Sequence, residues 1–317
     1  MAIEAIPTIK VSRVRQHGRH FSDRFMSAFI HVNAFLVVLS VVLIFAFLIK
    51  ESMPFFQKRT LQSFLFGSSW YPLEPSDTFG ALPLIAGTLL TTAIAVLFAL
   101  PFGVLCAVYM SELAPARIKN TLKSTVEILA GIPSVVIGFI GMTILAPLLQ
   151  ERLHLMTGLT ALTGGVLLGF MALPTIISIA EDALHAVPQD YRRASLALGG
   201  TRLQTVWKST VPAASRGIIA ALMLGIGRAI GETMTVLMVT GNAATVPTKL
   251  LAPVADNSLF QSIRTLTATI AAEMGETAQY SLHYHSLFAL GVVLFVITLI
   301  VNSIADLALN RKRHASS

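Results

Sequence analysis

Charge and cysteine are what this sequence has least of. Only 12% of its 317 residues are charged while 54% are hydrophobic, and mean hydropathy is +0.73. A soluble domain carries about twice that charged fraction, so the balance excludes one. The single cysteine, Cys106, rules out a disulfide scaffold within the chain and, lying in an apolar run, reads as a packing residue. No GxxxxGK[ST] loop occurs, so the chain is not expected to hold ATP by itself, and neither HExxH nor GxSxG is present. The stretch GIGRAIG has its last glycine one position too late for a dinucleotide fingerprint, and no strand precedes it. His283 and His285 of the HYH triplet lack further ligands close in sequence. Catalytic residues, metal ligands and cofactors are therefore not expected, and no internal repeat is visible.

What is present is a set of long apolar runs. Six lie near Ala28–Ile49, Leu82–Met110, Val126–Leu149, Leu159–Ala180, Gly217–Thr240 and Ser286–Leu309. Each is near the roughly 20 residues that a spanning helix needs, so the expected fold is all-α and polytopic, with about six transmembrane helices. A β-barrel would show shorter alternating segments. The second run holds Pro83, Gly87, Pro101 and Gly103, which predicts a tilt, a kink or an interfacial start. The first run exceeds a signal-peptide core and no small-residue cleavage site follows it, so it reads as an uncleaved span.

The placement of basic residues is lopsided. Sixteen of the 23 lie on one side of the spans: Lys10, Arg13, Arg15, Arg19 and Arg24 in the amino-terminal tail, and Arg117, Lys119 and Lys123 between spans two and three. Arg192, Arg193, Arg202, Lys208 and Arg216 lie between spans four and five, and Arg311, Lys312 and Arg313 end the chain. By the positive-inside rule both termini are expected in the cytoplasm of a prokaryotic inner membrane, and nucleic-acid binding is disfavoured. The expected divisions are a basic tail over 1–27, a first span and outer loop over 28–81, a transmembrane domain over 82–309, and a basic tail over 310–317. Of the outer connections, Lys50–Ala81 and Gly241–His285 are long. In the second, Ile263, Leu266, Ile270 and Met274 recur at helical spacing, either as a cap on the bundle or as a docking surface for an external partner.

The inward connection 181–212 is patterned. Pro188 opens a helix supported by Leu196 and Leu198, and Gly199-Gly200 ends it through a left-handed cap. A second short helix over 202–209 offers Leu203, Val206 and Trp207 for burial, with Pro212 closing it. Gly199 precedes Pro212 by thirteen positions, and the segment resembles the cytoplasmic coupling loop of ABC importer permeases. Ala194, Gly199, Val211 and Pro212 match that signature; Arg193 stands in place of the usual glutamate, Ser195 in place of a frequent alanine, and Ser209 where an aliphatic residue is common. Gly200 completes the turn. The resemblance implies a MetI-like helical bundle whose loop docks on a separate ATPase.

Four other stretches, FGALPLIAGTLLTT at 79–92, YMSELAP at 109–115, EILAGIPSVVIGF at 127–139 and LTATIAAEMGE at 266–276, join GRAIGETM at 227–234 in resembling the phosphate-importer permeases of the PstC type. That resemblance implies a second permease subunit (PstA-type), cytoplasmic ATPase subunits (PstB-type) and an external phosphate-binding protein (PstS-type). Sulfate and molybdate permeases typically carry phenylalanine where Thr233 stands, and remain the alternative. An ion-gradient-driven secondary transporter is a further one, without use for an ATPase-docking loop.

Arg228 and Glu232 are the charges within the fifth run. Counted from Gly217 along a helix, Arg228 lies about 16 Å deep, close to the midplane, with Glu232 one turn further on the same face. A charge there costs about 2.5–3.5 kcal/mol, so each needs a partner or a wet pathway. In one reading they pair with each other or with Glu127 and hold the bundle; in the other Arg228 presents its planar donors to a passing anion and Glu232 orients it. Gly227 and Gly231 form a small-xxx-small pair suited to close helix approach.

Overall fold

The computed structural model describes residues 16–72, 78–247 and 257–314. Most of the amino-terminal tail, Pro75 of the first outer loop and Lys249 of the second lie outside the described residues. Among the described residues, six helices are long and apolar enough to span a membrane. The chain divides into two compact units, Met1–Lys50 and Glu51–Ser317.

The first unit is carried by α1 (Gln16–Lys58), which runs on into the second unit. Side chains such as Phe35, Val37 and Val38 are more than half exposed, as suits a helix whose solvent is lipid.

In the second unit, α2 (Leu61–Phe66) and a hairpin of β1 (Trp70–Tyr71) and β2 (Thr78–Phe79) precede α3 (Leu82–Val108). The strands are antiparallel with Trp70 opposite Phe79. Phe55 meets Phe64 and Phe79 edge to face at 5.0 and 5.5 Å, pairs worth about 0.5–1.5 kcal/mol each beyond area burial. Leu84, Leu266, Leu287 and Leu290 complete this core.

The α3 helix passes through Pro101 and ends in a π-turn at Tyr109–Leu113. It packs along α7 (Ala161–His185), where a Cβ on Gly165 would lie 2.5 Å from the Ile94 side chain. Thr160 starts α7 by accepting the Thr163 N–H.

Between them the chain departs from the expected third span. Gly131–Pro133 breaks it into an amphipathic α4 (Ala116–Ala130) and a spanning helix built from α5 (Ser134–Ile140), a π-turn and α6 (Ala146–Leu153). Proline at 133 disfavours helix at the residue before it, so the span begins at Ser134, eight residues later than the apolar run suggested.

After α8 (Gln189–Ala197), α9 (Arg202–Thr205) runs without interruption through a π-turn into α10 (Val211–Gly231). Pro212 was expected to close a short helix and does not: the π-turn at Val206–Thr210 shifts the hydrogen-bond register just before a residue with no N–H to give. The expected fifth span also ends early, at Gly231, and a short α11 (Met234–Val239) follows. A buried α12 (Leu266–Glu273) and the last span, α13 (Leu282–His314), complete the unit. Leu266 is fully buried and Ile270 and Met274 pack against the aromatic core, so this segment caps the bundle. Ile263 precedes the helix, bridged to Gly241.

Candidate translocation site and coupling loop

The α10 helix approaches α7 closely on one side only. A Cβ on Gly225 would lie 2.6 Å from Ile176, and one on Gly217 would lie 2.2 Å from Ala183 Cβ. Gly227 and Gly231, expected at a close contact, would meet nothing within 4 Å. They share a helical face with Leu224, 56% exposed, and Arg228. Gly227, Gly231 and Leu224 leave it open, while Arg228 at its edge turns back to α7.

Arg228 is half-buried on that open side, where its Nη1 donates to Thr175 Oγ1 of α7 at 3.1 Å. Glu232 stands just past the helix in an extended conformation (φ −70°, ψ 131°), and its carbonyl accepts from Thr267 Oγ1 at 2.9 Å. The two charges therefore do not share a helical face, and no ion pair joins them. The break follows from α11 being held elsewhere: Thr235, fully buried, donates to Ser134 O at 3.0 Å, fastening α11 to α5. Glu127 lies exposed on α4, outside the spanning helices, with no ion-pair partner among the described residues. The structure thus leaves Arg228 with a hydroxyl acceptor and an open face.

The 181–212 segment folds as a helix–turn–helix. Pro188 caps α8, Gly199 takes φ +81°, and Gly200 N–H returns to Ser195 O at 3.1 Å. Nothing lies within 4 Å of a Cβ on Gly199, so its need for glycine is conformational. Thr201 and Gln204 form a capping box that starts α9. Ser195 Oγ meets Thr205 Oγ1 at 2.9 Å across the turn. Arg193 and Asp190 face outward, 3.9 Å apart; Ala194 lies between Arg193 and Ser195 on the same helix, and Pro212 sits in the first turn of α10. Of the apolar side chains expected to pack, Val206 is buried, whereas Leu198 is 90% exposed and Leu196, Leu203 and Trp207 are about half exposed, as is Tyr191 beside them. They find no full cover among the described residues.

Sequence reasoning missed two carboxylates beside this loop. Glu112, in the π-turn after α3, accepts from Arg192 at 2.6 Å, and Glu181 of α7 accepts from Lys119 of α4 at 2.6 Å and Lys123 at 3.4 Å. Their signal was an acidic residue at the edge of a basic connection, Glu112 before Arg117 and Glu181 before Arg192. At the opposite end of the unit, Glu273 gathers Arg264 (2.6 Å), His283 Nε2 (2.7 Å) and Trp70 Nε1 (3.1 Å) beside a cavity of about 530 Å³. His285 reaches the Glu51 carbonyl at 2.7 Å, so the two HYH histidines face different partners, and no metal-competent cluster occurs among the described residues.

Comparison with known proteins places this architecture. A permease protein of Bacillus subtilis, YqgH, described as a probable ABC transporter permease, is 40% identical over 235 residues, covering 74% of this chain and 73% of its own. The phosphate transport system permease protein PstC of Mesorhizobium japonicum is 38% identical over 268 residues, 78% of each chain. The probable PstC of Methanocaldococcus jannaschii is 32% identical, covering 88% of this chain and 91% of its own. Among solved structures, a bacterial alginate importer superposes with TM-score 0.60 at 14% identity over 92% of this chain and 99% of that one. The MetNI methionine transporter gives 0.52 at 21% identity, covering 73% and 94%. Residues 99–314 match the family described as binding-protein-dependent transport system inner membrane component, and the chain belongs to that family.

Proposed function

We propose that this chain is one permease subunit of an ATP-driven phosphate importer. The observation that carries the reading is a half-buried arginine within a membrane-spanning helix, Arg228, set at the edge of the open strip formed by Gly227 and Gly231. A guanidinium in that setting, held from behind by Thr175, offers planar donors to an oxyanion. Leu224, Gly227 and Gly231 leave room for a second permease to close the pathway opposite it. Relatives bearing the PstC name support phosphate as the cargo.

In this reading Arg228 contacts the passing anion. Glu232, displaced from the helix face, keeps the pathway from becoming a trap for negative charge. The loop 181–212 docks on cytoplasmic ATPase subunits of the PstB type through the exposed Tyr191, Leu196, Leu198, Leu203 and Trp207, since an uncovered apolar patch marks an interface. Arg193, Ala194, Ser195, Gly199, Gly200 and Pro212 shape that loop. A PstA-type permease completes the pore, and a PstS-type binding protein delivers phosphate at the opposite end. The charge bias places both termini inside, with segments 1–27 and 310–317 as cytoplasmic tails, 28–81 as the first span and outer loop, and 82–309 as the permease proper.

Co-purification tests the ATPase assignment. The tagged chain, expressed with the other subunits encoded for the same importer and extracted in mild detergent, should bring down a nucleotide-hydrolysing subunit in fixed ratio. A transporter active without one contradicts the reading.

A further inference from the structure

The helix at the tip of the loop, α8, buries none of its own residues. Apolar packing therefore cannot carry a displacement of α8 into the spans; its polar contacts must. Forward, Ser195 meets Thr205, and Ser209 Oγ donates to Tyr191 O at 3.3 Å, joining α8 to the start of the fifth-span helix. Backward, everything rests on Arg192. Its Nε donates to both Glu112 oxygens at 3.2 and 3.1 Å. Its Nη2 donates to Glu112 Oε1 at 2.6 Å and to Leu184 O at 2.9 Å, and its Nη1 to Val187 O at 2.7 Å. Among the described residues no other α8 side chain makes a polar contact with spans two or four.

The arrangement is specific to a guanidinium. Leu184 sits in the last turn of α7, its carbonyl also accepting the Val187 N–H at 3.3 Å, and Val187 lies just beyond it, where carbonyls at a helix end are open to outside donors. Glu112 approaches from the π-turn that ends the second span. A planar fan of donors satisfies all three acceptors at once, which a compact ammonium cannot. The side chains of Arg192 and Glu112 are 14% and 8% exposed, so water does not substitute freely for either.

We propose that Arg192 is the positioning residue through which motion of the coupling helix reaches spans two and four. It locks α8, the end of α7 and Glu112 into one lever, and phosphate moved per ATP depends on that lock. The proposal rests on 181–212 being the ATPase-docking loop.

The test uses the whole transporter in proteoliposomes with its binding protein, measuring phosphate uptake and ATP hydrolysis in the same vesicles and ATPase subunits per permease. Arg192→Lys and Glu112→Gln should keep the ATPase bound and hydrolysis running, while phosphate per ATP falls by about tenfold, within the usual range of coupling between sites. Arg192→Lys keeps a cation beside Glu112, so it assembles even where Glu112→Gln does not. Lys123→Gln loosens the neighbouring Glu181 pair without touching α8 and should leave the ratio unchanged. The proposal is overturned if phosphate per ATP stays constant in Arg192→Lys, with uptake falling only as ATPase is lost, or if Lys123→Gln lowers the ratio equally. An unmodified complex that carries no ATPase removes the docking reading itself, a separate and distinguishable failure.

Discussion

Arg228 was legible in the sequence because an arginine in an apolar run stands out, and its cost in a membrane demands a reason. Its partner was not legible. Thr175 lies 53 positions earlier, and a threonine in a helix carries no mark of what it will face. Glu127 was a reasonable partner only while the third span was thought to include it; the break at Gly131–Pro133 puts it on a separate helix. Two outcomes follow at this scale. Arg228→Lys keeps the charge but loses the fork, and one charge-assisted hydrogen bond, about 1.5–3 kcal/mol, corresponds to a drop in phosphate uptake of about tenfold to a hundredfold. Complex yield should be unaffected, and exchanging Arg228 with Glu232 should not restore uptake. An active exchange variant points to a structural pair instead. Packing gives the second outcome. Gly225→Ala drives a methyl into Ile176 and should destabilise the chain by about 1–3 kcal/mol, read as a lower melting temperature in detergent. Gly227→Ala meets no atom within 4 Å and, with alanine favoured over glycine inside a helix, should not lower that temperature while it reduces uptake, because its methyl enters the pathway.

Among elements, the 181–212 loop was the most legible, since proline and glycine announce turns through backbone sterics alone. Pro188 and Gly199 take up the start and the left-handed end that the sequence implies. The π-turn at Val206–Thr210 carries no such signal, which is why Pro212 looked like a terminator. The end of α10 was equally hidden: the apolar pattern continues past Gly231 without proline, and the break is set by Thr235 bonding to Ser134 on another helix. The loop's exposed apolar residues were expected to be buried because a single sequence does not distinguish an apolar side chain packed within its own chain from one left at the surface. Gly199→Asp forces a side chain onto φ +81° and costs on the order of 1 kcal/mol in local geometry. The variant should insert in the membrane at normal levels, retain less ATPase on co-purification and lose uptake. Full uptake by a well-expressed Gly199→Asp chain removes this loop from the coupling mechanism.

For the whole molecule, scarcity of charge identified a membrane protein and the distribution of charge implied its orientation. Six spanning helices follow from length and composition, and membership of the inner membrane permease family from the match over 99–314. A carboxyl-terminal alkaline phosphatase fusion should be inactive and a fluorescent reporter at the same site active; the reverse pattern inverts the topology and carries the 181–212 loop to the wrong side of the membrane for an ATPase. The account's central claim is that ATP hydrolysis on partner subunits drives phosphate through a pathway lined by Arg228. Its most direct test is radiolabelled phosphate accumulation by the complete transporter in proteoliposomes, with ATP supplied to the loop side and no ion gradient. The account predicts accumulation that requires ATP, resists excess sulfate and molybdate, and falls by about tenfold to a hundredfold in Arg228→Lys while hydrolysis continues. Uptake that proceeds on an ion gradient without ATP, or that sulfate suppresses as effectively as unlabelled phosphate, contradicts it.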